Sequence, residues 1–212
     1  MNSFAQSIKR AIRNVIRLGD TDIFPYPIEN IVMRDAEDRV YNMVGELDRC
    51  FDGELISNPP FSEETLVPVS YTGFRFGTQI EPLWNIYFLA LLIELGPAIE
   101  ADRIPLGDRR VFSYRFKIDP DAVEIFRSDY GWSDFIKRSE ELAAQNDWIV
   151  MCDISDFYAR LSHHPLENAL KHLRDDRNYG RKIMRLLSSY TQPFPWGPRW
   201  GTGRPPSVRA DP

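Results

Sequence analysis

The 212-residue chain has two cysteines, three histidines and no apolar run of membrane length, and each shortage excludes a class of protein. Cys50 and Cys152 are too few for a disulfide scaffold. Within an apolar run such as Val150-Met151-Cys152 a free thiol behaves as a small hydrophobe, so a reducing cytoplasm fits. The strongest apolar segment, Leu83 to Ile93, is interrupted by Asn85 and closed by Glu94. It falls short of the roughly 20 residues that a membrane span needs and reads as a core helix, with no membrane partner expected. Lys9, Arg10, Arg13 and Arg17 are interleaved with apolar residues, and no small-residue cleavage site follows, which is not the pattern of a signal peptide. Basic charge is not in excess either: the formal net charge of -5 argues against a nonspecific polyanion binder with a basic tail but leaves room for a local basic groove. His163 and His164 are adjacent, point in different directions on a strand or loop, and are assigned no metal.

What is present is the composition of an ordinary globular chain, 43% hydrophobic and 13% aromatic, long enough for one or two domains with a real core. Phe4, Ile8, Ile12, Val15 and Ile16 recur at helical spacing before Gly19, which predicts an amphipathic helix over residues 3–18. Arg10, Arg13 and Arg17 give it a basic face that either tracks a phosphate backbone or, the more frequent case, is simply solvated. Helical patterning resumes from Glu29 to Phe51, with Val40, Val44, Leu47 and Phe51 on one face. A polar loop follows through Asn58-Pro59-Pro60, then a bent strand or loop between Val67 and Gln79, and Pro82 opens the apolar helix. Phe112, Tyr114, Phe116 and Ile118 alternate with Ser113, Arg115 and Lys117, the period of a strand with a basic outer face. Ser133 can cap a helix with Phe135, Ile136, Leu142 and Ala143 turned inward. Pro165 starts another helix through Leu166, Leu170 and Leu173, and Ile183, Leu186 and Leu187 belong to the next.

The run from Trp148 to Tyr158 carries the most chemistry. Trp148-Ile149-Val150-Met151-Cys152 suits a strand covered on both faces, and Asp153 would stand at its carboxyl end, where a covering layer stops and ligands enter. A carboxylate placed there needs a donor, a base or a cation; the plain alternative is that Asp153 caps the turn leaving the strand.

Asp153-Ile154-Ser155-Asp156-Phe157-Tyr158 after an apolar strand resembles the first catalytic motif of the reverse transcriptase family. Further stretches are similar to bacterial defence-associated, abortive-infection-type members: Gly19 to Asn30, Tyr71 to Gln79, Val111 to Phe116, and His163 to Leu170, so the likeness runs from the first helix to Leu187 in the expected order. The resemblance implies an α+β fold, helix-rich with a small sheet, forming the fingers and partial palm of a right-hand polymerase over residues 1–190. It implies RNA-directed DNA polymerase activity in phage defence, with Mg2+ as cofactor, an RNA template, a DNA primer or product, and deoxynucleotides as partners. By the same resemblance Asp153 and the carbonyl of Ile154 bind metal, Ser155, Asp156 and Phe157 form the turn that receives the triphosphate, and Tyr158 excludes a ribose 2′-hydroxyl. Arg115 and Lys117 are candidates for template or triphosphate contact, against the frequent case of solvated strand residues.

The chain departs from the family where a Tyr or Phe, any residue and two Asp should follow on a hairpin. Asp175-Asp176 lacks the flanking β-formers. After Tyr190 prolines and tryptophans replace aliphatics, and Gly197-Pro198-Arg199-Trp200-Gly201 stands where the family has Gly-Leu-Pro-apolar-Gly. Deleting one nucleotide from GGC CTC CCG GTG GGN turns Gly-Leu-Pro-Val into Gly-Pro-Arg-Trp, which points to a frameshift and an irregular tail over residues 191–212. The expectation is an incomplete, inactive fragment. The rival is a non-catalytic remnant that binds nucleic acid or a partner, and a magnesium phosphotransferase is weaker because Asp153 and Asp156 are spaced by three rather than two.

Overall fold

A computed structural model describes residues 4–19, 28–68, 73–154, 162–173 and 178–190. The fold is helix-rich α+β: α1 Phe4–Leu18, α2 Ile28–Asp35, α3 Glu37–Arg49, α4 Phe51–Ser57, β1 Ser62–Pro68, β2 Phe74–Ile80, α5 Pro82–Asp102, α6 Trp132–Ala143, α7 His163–His172 and α8 Tyr179–Tyr190. Short 3-10 turns lie at Leu106–Asp108 and Ser128–Tyr130. Contacts divide the chain into two compact units, Met1–Glu100 with Phe116–Phe126, and Ala101–Arg115 with Arg127–Pro212.

In the first unit, the helical periodicities become burial. Ile8, Ile12 and Val15 of α1 and Val40, Val44 and Leu47 of α3 are buried. Gly19 closes α1 with φ 83°, its N–H donating to the Val15 carbonyl at 2.9 Å, a backbone angle that only glycine adopts without cost. The 21 residues of α5 are apolar and long enough to cross a membrane by length and composition, yet Trp84, Ile86, Tyr87, Ala90 and Leu91 are each at most 2% exposed within the fold. Rings from three elements meet on α5: Phe4 lies edge-on to Tyr87 at 6.3 Å, and Phe51 contacts Trp84 and Tyr87 at 6.5 and 5.8 Å. The polar tip of Tyr87 donates to Asp48 Oδ1 at 2.9 Å, and Ser7 Oγ donates to Glu94 Oε2 at 2.6 Å, so α5 is tied to α3 and α1 by polar as well as apolar contacts. The region from Val67 to Gln79 resolves into two antiparallel strands, with Ser62 opposite Ile80 and Pro68 opposite Phe74.

Of the basic face of α1 only Arg17 is exposed; Arg10 and Arg13 are engaged by backbone carbonyls. Arg10 is 2% exposed and donates to three carbonyls of the return segment 117–124: Nε to Ala122 at 3.0 Å, and Nη2 to Lys117 at 3.0 Å and Glu124 at 2.8 Å. Its guanidinium also lies 5.3 Å from the Phe116 ring centroid. Arg13 donates to Pro120 O and Asn14 to Val123 O. Burial lowers the Arg10 pKa; Asp119 opposes that shift, Arg13 adds to it and Glu124 opposes it. Two further contacts hold the same segment: the Phe116 N–H donates to Glu100 Oε2 at 3.0 Å, and its ring packs so close to α5 that it leaves no room for a Cβ on Gly96.

The expected strand over residues 112–118 is therefore corrected to an irregular segment with one isolated bridge, Phe116 to Phe126. Tyr114 breaks the alternation with φ 51°, so Arg115 and Phe116 are both buried while Tyr114 and Ile118 are more than 60% exposed. In the second unit, α6 starts two residues earlier than expected, at Trp132, with Gly131 as its cap and Asp134 Oδ2 accepting the N–H of Gly131; Ser133 is not the cap. Phe135, Ile136 and Leu142 are part-exposed rather than core residues. Of the residues their spacing picks out, Leu170 of α7 and Ile183 and Leu186 of α8 are buried, whereas Leu173 and Leu187 are half-buried and Leu166 is exposed; Met184 is buried as well.

Replacing Arg10 with alanine removes three charge-assisted bonds, although the Lys117 carbonyl keeps the Asp119 N–H, and at roughly 1 kcal/mol or more per bond the loss is about 3 kcal/mol. Urea unfolding of Arg10→Ala checks this; a change below about 1 kcal/mol would show that water replaces the clasp.

Candidate functional site

The sequence motif at residues 148–158 does not fold as its apolar run suggests. Trp148, Ile149, Val150 and Met151 have no regular structure and are 89%, 68%, 85% and 93% exposed. The expected buried strand is corrected on this point: no strand among the described residues pairs with the segment, and a single strand without a ladder leaves its N–H and C=O groups to water. Asp153 is exposed, and its Oδ1 accepts the N–H of Ile154 at 2.9 Å. The bond runs to the next residue in the chain, and residues 151–154 form neither a strand nor a regular turn. Ser155, Asp156, Phe157 and Tyr158 lie outside the described residues, as does the tail from Thr191, so the triphosphate turn and the sugar gate belong to the sequence reading alone.

Magnesium prefers octahedral oxygen coordination and keeps several waters, which it holds through one or two carboxylates plus phosphate oxygens. Asp153 and the Ile154 carbonyl offer one carboxylate and one backbone oxygen, and among the described residues no three His, Cys, Asp or Glu side chains converge on a common point. The described donors do not complete a magnesium site.

Lys117 pairs with Glu124 at 3.9 Å, a partly exposed contact of little energetic weight. Arg115 is 2% exposed and is not a solvated strand residue. It belongs to a cluster that the spacing of the sequence does not reveal. The guanidinium carbons of Arg109, Arg115 and Arg127 lie 5.9, 5.8 and 5.6 Å from the ring centroid of Tyr130. Tyr130 is fixed by its hydroxyl, which donates to the Leu106 carbonyl at 2.8 Å, and Arg127 is held by a two-point bond to Asp129. That bond keeps the Asp129 carboxyl below its ordinary pKa, with Arg109 contributing. Arg109 sits in the left-handed region at φ 46° and ψ 50°, a conformation that costs a non-glycine residue about 1 kcal/mol, and it also covers the Phe112 ring at 5.6 Å.

Three cations that share one ring at these distances are no more than about 12 Å apart pairwise, so each repulsion is at least about 0.3 kcal/mol in a water-like medium and at least about 1.4 at an effective dielectric of 20. Each ring contact returns about 0.5–1 kcal/mol at an exposed site. Asp129 neutralises Arg127; among the described residues Arg109 forms no ion pair. The usable signal in the sequence was the recurrence of Arg with Phe and Tyr in Asp108-Arg109-Arg110-Val111-Phe112 and Arg127-Ser128-Asp129-Tyr130, but nothing in either stretch announces that the two meet.

A separate cleft of about 440 Å³ opens in the first unit, lined by Lys9, Arg13, Glu37, Asp38, Tyr41 and Asp121. Its mixed charges favour no one class of ligand.

No protein-family model, curated protein or solved structure matches the chain.

An exposed carboxylate bonded only to its own neighbour's N–H contributes little to folding. Asp153→Asn is expected to leave the thermal unfolding of the chain within about 0.5 kcal/mol of the unsubstituted protein. A larger loss in calorimetry would place Asp153 in a structural role.

Proposed function

We propose that the chain is the fingers and partial palm of a defence-type reverse transcriptase, an RNA-directed DNA polymerase that is inactive without its second acidic motif. The observation that carries the reading is the string Trp148 to Tyr158, an apolar run followed by Asp-Ile-Ser-Asp-Phe-Tyr, set in order among the other stretches that resemble the family. Asp153 and the Ile154 carbonyl are the proposed metal ligands, Ser155 to Phe157 the nucleotide turn, and Tyr158 the residue that rejects ribonucleotides.

The exposure of Trp148–Met151 supports the fragment part of this proposal. Strands are stabilised by a ladder and by burial of their side chains, and among the described residues this β-forming apolar segment has neither. The second acidic motif of the family lies on a hairpin that would provide both the missing carboxylates and the missing strands. The rival reading, a non-catalytic remnant that binds nucleic acid or a protein, is favoured by the incomplete ligand set: no three metal-binding side chains converge among the described residues.

Primer extension separates the two. The 212-residue chain is expected to extend no primer on RNA or DNA template with magnesium and deoxynucleotides, and a chain with its downstream frame restored is expected to extend. In the restored chain Asp153→Asn should abolish extension, whereas Tyr158→Ala should retain it and admit ribonucleotides because the steric block is gone. Extension by the unmodified chain that disappears in Asp153→Asn would overturn the fragment reading. Restored activity indifferent to Asp153→Asn would overturn the site.

A further inference from the structure

Exposed apolar side chains are concentrated in one stretch of the second unit. Within α6, Trp132 is 74% exposed and Phe135, Ile136 and Leu142 are each more than a third exposed. By helical spacing these four share one stripe, with Asp134, Lys137 and Glu141 off it. The bare run Trp148–Met151 begins five residues beyond the helix. Single apolar residues on a surface need no explanation, but eight large ones within residues 132–151 form a patch of the kind that marks an interaction surface. At roughly 150–250 Å² for a fully exposed ring and about 150 Å² for an aliphatic side chain, the eight present on the order of 1,000 Å² to water, and a specific protein interface takes about 800 Å² from each partner. The run from Trp148 to Cys152 carries no charge between Asp147 and Asp153, and among the described residues no strand pairs with it.

We propose that two copies of this chain associate through residues 132–152, with Trp148–Cys152 of each copy pairing as antiparallel strands about a two-fold axis at Val150. A two-fold interface needs a segment that complements itself, and this one does. In that register Trp148 faces the partner's Cys152, Ile149 faces the partner's Met151, and Val150 faces its own image, so a large ring meets a small side chain and no charge enters the ladder. Each strand gains hydrogen-bond partners for N–H and C=O groups that water now holds, and the α6 stripe of each copy adds its apolar area to the same interface. The run offers no charge by which a foreign strand would be selected, whereas its own sequence is balanced about Val150. The register has one cost: at both ends Asp147 stands opposite the partner's Asp153. The proposal goes beyond polymerase activity and does not rest on it, since the run is bare in this chain whichever reaction its motifs serve.

Sedimentation velocity of the full 212-residue chain from about 1 to 100 μM tests it, with a concentration-dependent shift from monomer to dimer expected. Val150→Lys sets a cation against its own image at the axis and should weaken the dimer about tenfold or more, as should Val150→Glu. Mixed in equal amounts, the two variants should dimerise again, because lysine then faces glutamate. Asp147→Asn removes the like-charge contact at both ends and should tighten the dimer about threefold. Ile56→Lys, at an exposed apolar residue of the first unit, should dimerise as the parent does. Circular dichroism of each variant confirms that it is folded; Val150 and Ile56 are both exposed, so a charge at either leaves the core intact. The proposal is overturned by a chain that stays monomeric at about 100 μM, whether its face is bare or covered by a co-purifying protein or nucleic acid. It is equally overturned by oligomers that grow beyond two, by Val150→Lys dimerising like the parent, or by Ile56→Lys failing to dimerise. Lysine and glutamate variants that do not associate when mixed, or an Asp147→Asn dimer no tighter than the parent's, would overturn the pairing about Val150. Failure of primer extension bears on none of these outcomes, and a monomeric chain leaves the extension test intact.

Discussion

The first unit is organised by a buried arginine. Arg10 reaches from α1 to the carbonyls of Lys117, Ala122 and Glu124, more than a hundred residues along the chain, and does for an irregular segment what a sheet ladder does for a strand. Without these donors the carbonyls of Ala122 and Glu124 would lose the partner that Arg10 gives them and that of Lys117 would keep only the Asp119 N–H, and the Phe116 ring would lose the segment that presses it onto Gly96. Apolar packing alone does not supply this order, because Ile118 is exposed and Phe116, Ala122 and Ile125 are the segment's only buried apolar anchors among the described residues. A guanidinium suits the role: its planar fork addresses several acceptors at fixed angles, whereas an ammonium could not span them.

That clasp also explains why charge counted along the sequence misleads here. Arg10, Arg13 and Arg17 look like one stripe, yet Arg10 and Arg13 are engaged by backbone carbonyls while Arg17 alone of the three is exposed. Burial of a cation against carbonyls rather than carboxylates is invisible to any count of opposite charges, since the acceptors are backbone atoms present at every residue. The helices were legible for the opposite reason. Ile8, Ile12 and Val15, or Val40, Val44 and Leu47, repeat at a period that a helix turns into one buried face without needing any distant partner to be known.

Strands were less legible because alternation specifies a strand only if a neighbour exists to complete the ladder. Over residues 112–118 the alternation is real in the sequence, but the left-handed turn at Tyr114 rotates the following side chains, and Arg115 goes inside. At Trp148–Met151 the β-forming composition is equally real, and the segment stands exposed because nothing among the described residues pairs with it. The candidate site was legible as chemistry and not as geometry: Asp153 could be named from its position after an apolar run, while its exposure depends on partners that lie beyond any local pattern. The cluster on Tyr130 was missed altogether, since it joins residue 109 to residue 127 across a stretch that folds into the other unit.

The two sets of arginines therefore have different standing. Arg10 is committed: it is 2% exposed, and its Nε and Nη2 donors run to fixed backbone acceptors. Arg109 is oriented by two ring faces, which attract a cation without accepting its N–H groups as an oxygen would, so its donors stay available to solvent or to an incoming anion. A ring holds the charge in place, keeps neighbouring cations within repulsive reach, and leaves the hydrogen-bonding capacity unspent.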